Sequence, residues 1–235
     1  MSGKIGSITT DIIKNGLVFN VDAANRASTI PSTSTTKTFN TIDLTQSGSF
    51  INDTIYDSST ISPSFAFDGT EDYINADNIS SIFPSINIFS ISIWAKSDYE
   101  NLNPTFIASN GGTASQAFLL YAYDTNTGTK DARVWYNGVS LLSTTNTSLS
   151  GWNNFCFVQN GATDSKLYVN AIERASSTTS KTMHSTIVDV KIGGTDDFSQ
   201  YFEGNIANSL IYTRALSANE VLHNYNALKG RFGLT

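Results

Sequence analysis

The chain has 235 residues, 40% of them hydrophobic and only 14% charged, with a net charge of −6 and a pI near 4.8. That length suits one large β-sandwich with a substantial core, or two small domains. The acidic balance and the lack of any Lys/Arg cluster exclude nucleic-acid binding by counterion release and attraction to an anionic membrane, so surface polarity must come from Ser, Thr and Asn.

Residues 1–14 precede the first strong strand and read as an N-terminal arm, a candidate anchor to a larger assembly. The opening MSGKIGSITTDIIKNG has no apolar h-region and no small-residue cleavage site, so synthesis and folding in a cytoplasm are expected. No run reaches transmembrane length. The first strand is predicted from Gly16 to Val21, followed by a Ser/Thr loop over 26–38 with one proline.

Strand-like runs then recur at Ser64 to Phe67, Tyr73 to Ile74, and Phe89 to Ala95, where Phe89, Ile91, Ile93 and Ala95 alternate cleanly. Further runs are Thr105 to Ala108, Ala117 to Tyr123, Ala132 to Tyr136, Val139 to Leu142, Asn154 to Gln159, Lys166 to Val169 and Val188 to Ile192. Turn chemistry separates them at Asp68-Gly69, Asn110-Gly111-Gly112, Asn126-Thr127-Gly128, Asn137-Gly138, Asn160-Gly161 and Gly193-Gly194. Short strands at this spacing predict an all-β sandwich of two antiparallel sheets, and no internal repeat or domain-scale linker divides residues 15–235.

The chain ends differently. From Asn205 to Tyr212 a strand is expected with Ile206, Leu210 and Tyr212 on one face and Ala207 and Ile211 on the other. Ser217 and Glu220 then form a capping box, with Leu216 and Val221 at the staple positions. Val221, Leu222, Tyr225 and Leu228 follow at helical spacing, which predicts a helix over 217–229 stopped by Gly230. The single cysteine, Cys156, excludes an intrachain disulfide and reads as a small buried hydrophobe within FCF.

In order, GLVFNVDAAN, FDGTEDYI, FSISIWAKSD, GWNNFCFVQNG, LYVN, KIGG and GNIANSLIYTRALSANEV resemble a laminin-G-like domain. More closely, the set resembles the concanavalin A-like lectin/glucanase jelly roll, over about residues 15–230. The resemblance implies a jelly-roll sandwich whose closing helix packs at the rim. It leaves the ligand open, because lectins, glycosidases, pentraxins and structural modules share this fold. The opening segment through Asp-Ala-Ala-Asn resembles single-domain versions in bacteriophage structural proteins.

Glucanases of this fold carry a Glu-x-Asp-x-x-Glu carboxylate set on one strand. Glu71, Glu100, Glu173, Glu203 and Glu220 do not fall in that pattern, and no Gly-x-Ser-x-Gly accompanies His184 or His223, so no catalytic residue is assigned. Calcium is the candidate metal. Asp68, Glu71 and Asp72 in FDGTEDY, with Asp196 and Asp197 in GGTDDF, are oxygen-rich loops at expected sandwich ends, and Asp22 is a further candidate ligand. No cofactor is required. A sugar needs aromatic platforms for its C–H faces and polar partners for its hydroxyls. Tyr121, Tyr123, Arg133, Trp135, Tyr136 and Asn137, close to Asp124, are the candidate glycan residues, whereas Trp94 and Trp152 are assigned to the core.

These readings converge on a non-enzymatic structural protein on the outside of a phage virion, as capsid decoration, fibre or tail appendage, with weak glycan adhesion. Its expected partners are other virion proteins, in an oligomeric setting, and a host surface glycan. A soluble lectin and a polysaccharide depolymerase are the alternatives.

Overall fold

The period-two runs become strands stacked in two antiparallel sheets. The computed structural model describes residues 11–29, 36–58, 62–77, 79, 87–97, 104–111, 115–124, 130–136, 139–144, 149–181, 187, 189–195 and 200–235. In chain order the strands begin with β1 (Leu17–Asp22), β2 (Lys37–Phe39), β3 (Ser47–Ile51), β4 (Ile55–Asp57), β5 (Ser64–Asp68) and β6 (Tyr73–Asp77). They continue with β7 (Ile88–Ser97), β8 (Thr105–Gly111), β9 (Ser115–Asp124), β10 (Lys130–Tyr136), β11 (Val139–Ser143) and β12 (Trp152–Asn160). The last are β13 (Ser165–Val169), β14 (Ile172–Ser177), β15 (Asp189–Ile192), β16 (Gly194–Thr195), β17 (Gln200–Tyr201) and β18 (Glu203–Tyr212), before helix α1 (Ala218–Lys229) and a 3-10 turn at Gly230–Phe232.

The first sheet runs β14-β13-β12-β7-β18-β5-β4, with β1 also paired to β18, and the second runs β11-β10-β9-β8-β15-β6-β3-β2. Their inner faces meet through phenylalanines. Phe106 stacks on Phe155 at 4.4 Å between centroids, and Phe118 lies 5.9 Å from Phe89 and 5.3 Å from Phe157. Phe50 meets Phe65 edge-on at 5.5 Å. Each pair joins one sheet to the other, so the core is held by side chains spaced two apart along their strands.

The expected face assignment of β18 changes in the structure. Ile206 and Ile211 face the sandwich core, while Ala207, Leu210 and Tyr212 face the other way. The register against β7 slips between Ile206 and Asn208, leaving Ala207 as an extra residue. A β-bulge of this kind puts two successive residues on one face and reverses the phase beyond it. β18 also changes neighbour there: Glu203 to Ile206 pair with β5, and Asn208 to Tyr212 pair with β1.

Helix α1 covers the outer face of this first sheet instead of its rim. Tyr212, Leu210, Cys156, Val158 and Tyr168 pack with Leu216 and Val221, so the staple residues share one cluster. Burial pushes the Cys156 thiol up to about 12, as suits a packing residue. Beside this cluster Trp94 stacks on Phe232 at 4.2 Å and on Tyr225 at 5.5 Å, with Trp152 at 4.8 Å from Phe232. Both tryptophans therefore pack beneath the helix and not in the inter-sheet core. Gly230 is right-handed (φ −61°), and the left-handed stop is Gly233 (φ 71°), one 3-10 turn later.

The expected arm is partly intrinsic to the fold. Residues 1–10 lie outside the described residues, but 11–14 are tied down. Buried Asn224 accepts from Ile13 N (2.8 Å) and donates to Tyr212 Oη (3.0 Å), which itself donates to Ile13 O (3.0 Å). Ile12 and Ile13 pack against the cluster under the helix. The arm boundary at residue 14 therefore falls too late.

Strands β2, β3, β4 and β14 carry no clear alternation in the sequence. β2 and β4 have three residues each, and β14 is an edge strand with mostly exposed side chains. In β3, Gly48 faces Ile74, whose Cγ2 lies 2.5 Å from where a Cβ would sit, so this glycine is a packing residue. The β13–β14 turn uses left-handed Asn170 and Ala171 (φ 52° and 62°) without glycine. The Asn170 side chain holds it by accepting from Asn154 N at 2.9 Å and donating to Asn153 Oδ1 at 2.8 Å. Gly193-Gly194, expected as a turn, instead links β15 to β16. Gly193 N donates to Phe106 O and the Phe67 ring occupies the place of a side chain.

The capping box forms as expected: Ser217 Oγ accepts from Glu220 N and Glu220 Oε2 accepts from Ser217 N at 2.9 Å. Glu220 also receives both Arg214 Nη atoms, at 2.9 and 2.7 Å. The Arg214 hydrogen bonds, with those from Ser217, hold the Glu220 carboxyl at about 2, below its ordinary 4.5. A depressed carboxyl stabilises the fold fully above 4.5 and loses that contribution as pH falls toward 2. Glu220→Gln is expected to cost about 1 kcal/mol at neutral pH and to flatten the stability profile in that window, read by urea denaturation at stepped pH.

Candidate functional site

With the first sheet covered by α1, the outer face of the second sheet is the remaining broad surface. Alternation along β9 sends Phe118, Leu120 and Ala122 to the core, and Leu119 and Tyr121 outward, where they cluster with Ala108 and Trp135. Register places Arg133 beside Tyr121 and Tyr121 beside Thr105. A second row crosses the sheet from Trp135 through Leu119, Ala108 and Lys191 to Asn75.

The charged groups on this face are paired and held low. Lys191 is buried, with Nζ 3.3 Å from Asp189 Oδ2 and 5.0 Å above the Tyr73 ring. Arg133 Nη2 lies 3.8 Å from Asp131 Oδ2. Gly194 makes room for the Tyr201 ring and for the Tyr73 backbone side: a Cβ there would lie 2.9 Å from Tyr201 Cδ1 and 3.2 Å from Tyr73 Cβ. Three buried oxygens on the face, Thr105 Oγ1, Asp131 Oδ1 and Asp189 Oδ1, have no hydrogen-bond partner among the described residues. Buried oxygens without partners are costly, which makes these the polar groups of the face that its own side chains leave unsatisfied. Aromatic edges beside fixed acceptors and donors form a surface suited to polyhydroxylated ligands.

The expected glycan set is partly assembled here. Tyr121, Arg133 and Trp135 share the face, but Tyr121 is only 6% exposed and serves as its floor. Tyr123 pairs with Asp131, and Tyr136 pairs with the core residue Phe118. Side chains of Tyr123, Asp124 and Tyr136, and all of Asn137, lie outside the described residues. Tyr73, Lys191, Asp131 and Asp189 also lie on this face, outside the expected set. Their signals are present: Tyr73 and Asn75 alternate with Ile74 and Ala76, and Lys191 interrupts the apolar run from Val190 to Ile192.

Among the described residues, the expected calcium ligands Asp68, Glu71 and Asp72 do not converge on a metal site. Asp196 and Asp197 lie outside the described residues. Asp72 is fully buried, and its two carboxylate oxygens accept from Asp53 N (2.8 Å) and Asp68 N (3.0 Å), which spends it on tying two loops together. Burial raises its carboxyl above the ordinary range. Asp68 Oδ1 accepts from Thr70 N at 2.7 Å within its own turn, and exposed Glu71 is left-handed (φ 61°) with its carbonyl taken by Asn52 Nδ2. Asp22 is bound at both oxygens by Arg231, at 2.8 Å each, and is a salt-bridge partner. Among the described residues, no three His, Cys, Asp or Glu side chains group to hold a metal ion. Asp72→Asn replaces one acceptor by a donor facing a backbone N–H. A loss of about 1–3 kcal/mol in urea denaturation is expected, and an unchanged midpoint would remove this structural role.

A family model described as the concanavalin A-like lectin/glucanases superfamily matches residues 68–222. No curated protein matches the sequence. Among solved structures, the chain is similar to domain 4 of AbnA, a GH43 extracellular arabinanase from Geobacillus stearothermophilus, in complex with arabinotriose. The TM-score is 0.63 at 18% identity, over 89% of this chain and 98% of that one. It is similar to Trypanosoma rangeli sialidase in complex with the inhibitor DANA, with a TM-score of 0.68 at 14% identity, over 93% of this chain but 35% of the sialidase. A heptameric SAP-like pentraxin from Limulus polyphemus matches with a TM-score of 0.50 at 16% identity, over 59% of this chain and 70% of that one. At these identities the structural likeness is one of fold. The family match and the two-sheet architecture agree: the chain belongs to the concanavalin A-like lectin/glucanase superfamily.

Proposed function

We propose that the chain is a non-enzymatic carbohydrate-binding module whose ligand lies across the outer face of the second sheet. One observation carries this reading: the partly buried Trp135 ring shares one face with the Asp189–Lys191 and Asp131–Arg133 pairs and with Tyr73 and Tyr121. Trp135 supplies the partly buried ring for a pyranose face, Lys191 and Arg133 supply donors, and Asp131 and Asp189 accept hydroxyl protons. The arabinotriose held by the similar arabinanase domain supports the ligand class. A non-enzymatic role is supported by the carboxylates, since Glu220, Asp72 and Asp22 are each committed to structural bonds.

The finer proposal places the module on the outside of a bacteriophage virion, bound to other virion proteins and facing a host polysaccharide. Its support is the sequence resemblance of GLVFNVDAAN to phage structural proteins and a surface with few charges. Mass spectrometry of purified particles should find the chain, and its absence would leave a lectin outside the particle.

On a glycan array the protein should bind at least one glycan saturably, and Trp135→Ala should weaken that binding about tenfold or more, a loss of ~1.4 kcal/mol. Equal binding by the variant would remove Trp135 from the site. Release of new reducing ends from a bound polysaccharide would replace this reading by the depolymerase one.

A further inference from the structure

A cleft of about 570 Å³ opens on the other side of the molecule, beside β1 and the last turn of α1. Its size lies within the roughly 300–1,000 Å³ of small-ligand sites. The α1 cover creates it. The helix and residues 11–14 pack on the first sheet, but the 41–42 loop stands off from the helix end, and the floor between them is β1. On that floor Asn20 and Asp22 occupy outward positions, alternating with the core residues Phe19 and Val21.

The wall chemistry defines the ligand. Asp22 and Arg231 form a two-bond ion pair at one end, with Arg231 also donating to Ser62 Oγ at 3.3 Å. At the mouth Lys14 is paired with Asp11 at 2.8 Å. Two acids and two bases thus cancel, and a charged ligand would meet no excess countercharge among the described lining residues. Neutral polar capacity remains. The largely buried Asn20 accepts from Asn208 Nδ2 on its side-chain oxygen, and its amide nitrogen has no partner among the described residues. Aliphatic surface comes from Leu228 and from Ile42, which is 48% exposed at the lip. We infer that this cleft is a second saccharide subsite, taking one or two neutral sugar residues. Their hydroxyls would meet Asn20 and the Asp22–Arg231 pair, and their C–H edges Ile42 and Leu228.

The inference rests on the carbohydrate-binding reading for its ligand class only, since it uses none of the residues of the second-sheet face. The two sites lie on opposite sides of the sandwich, so one molecule would engage two glycan chains and bind a dense glycan surface more tightly than either site alone.

The test is an NMR titration of the full chain with arabinotriose, cellotriose, maltotriose and chitotriose. Side-chain amide signals of Asn20 and Asn25 and the indole signal of Trp135 report on the two sites separately. Saturable shifts of Asn20 and Asn25 with at least one trisaccharide are expected. Ala227→Trp, which fills the cleft, should abolish them. Ile42→Asp, at an exposed position that tolerates the change, should weaken them about tenfold with an unchanged melting temperature. Shifts confined to Trp135 would overturn the cleft and leave the proposed face standing. Shifts confined to the cleft would support it and overturn the face. Shifts at neither, or cleft binding unaltered in both variants, would overturn the second subsite.

Discussion

β18 must bury both of its faces, and the one-residue bulge at Ala207 is what lets it do so. Before the bulge Ile206 points into the sandwich. Beyond it Ile211 does the same, while Leu210 and Tyr212 turn toward the helix. The bulge also divides the strand between β5 and β1, which draws the N-terminal segment alongside the C-terminal one. A strand without the extra residue would keep Leu210 and Tyr212 on the same side as Ile206, and the helix would have no apolar face to cover. The Asn224–Tyr212–Ile13 network and the Arg214–Glu220 pair fix the cover in place afterwards.

That cover gives the two sheets different tasks. Over its centre the first sheet is covered by Trp94, Phe232, Val221 and their neighbours, and even its serines are used: Ser90 Oγ donates to Arg214 O and accepts from Leu216 N. The second sheet has no such lid among the described residues. Its outer face instead holds charged pairs and unfilled acceptors around aromatic side chains. A buried ion pair stabilises little by itself. Asp189–Lys191 and Asp131–Arg133 therefore do little for stability by themselves, but each holds its polar groups in one geometry on this face.

Much of the fold was legible because its signals are local. Alternation in FSISIWAK reports a strand whether or not its partner is known, and Ser217 with Glu220 reports a helix start within four residues. The parts that were not legible depend on distant neighbours. β3 shows no alternation, and its Gly48 answers to Ile74 in the paired strand β6. The Asn170-Ala171 turn lacks glycine because Asn153 and Asn154 hold it from β12. Asp72 looks like a metal ligand in FDGTEDY, but two backbone N–H groups have already claimed it. On the outer face of the second sheet, Arg133 and Trp135 stand two residues apart on β10, as alternation requires of side chains on one face. Alternation gave no sign that Tyr121 would be buried beneath them, because burial is set by the strands on either side.

The sequence by itself determined the strands with strong alternation, the capped terminal helix, the buried thiol and the family. Each is encoded in residues close together in the chain or in an ordered series of such motifs. Only the tertiary structure decided which face each element presents, because a single inserted residue reverses the phase of everything after it. It alone brought Lys191, Tyr73 and Trp135 to one surface, and Asn20, Asp22 and Arg231 to one cleft, since strand order sets those meetings and no local pattern records it.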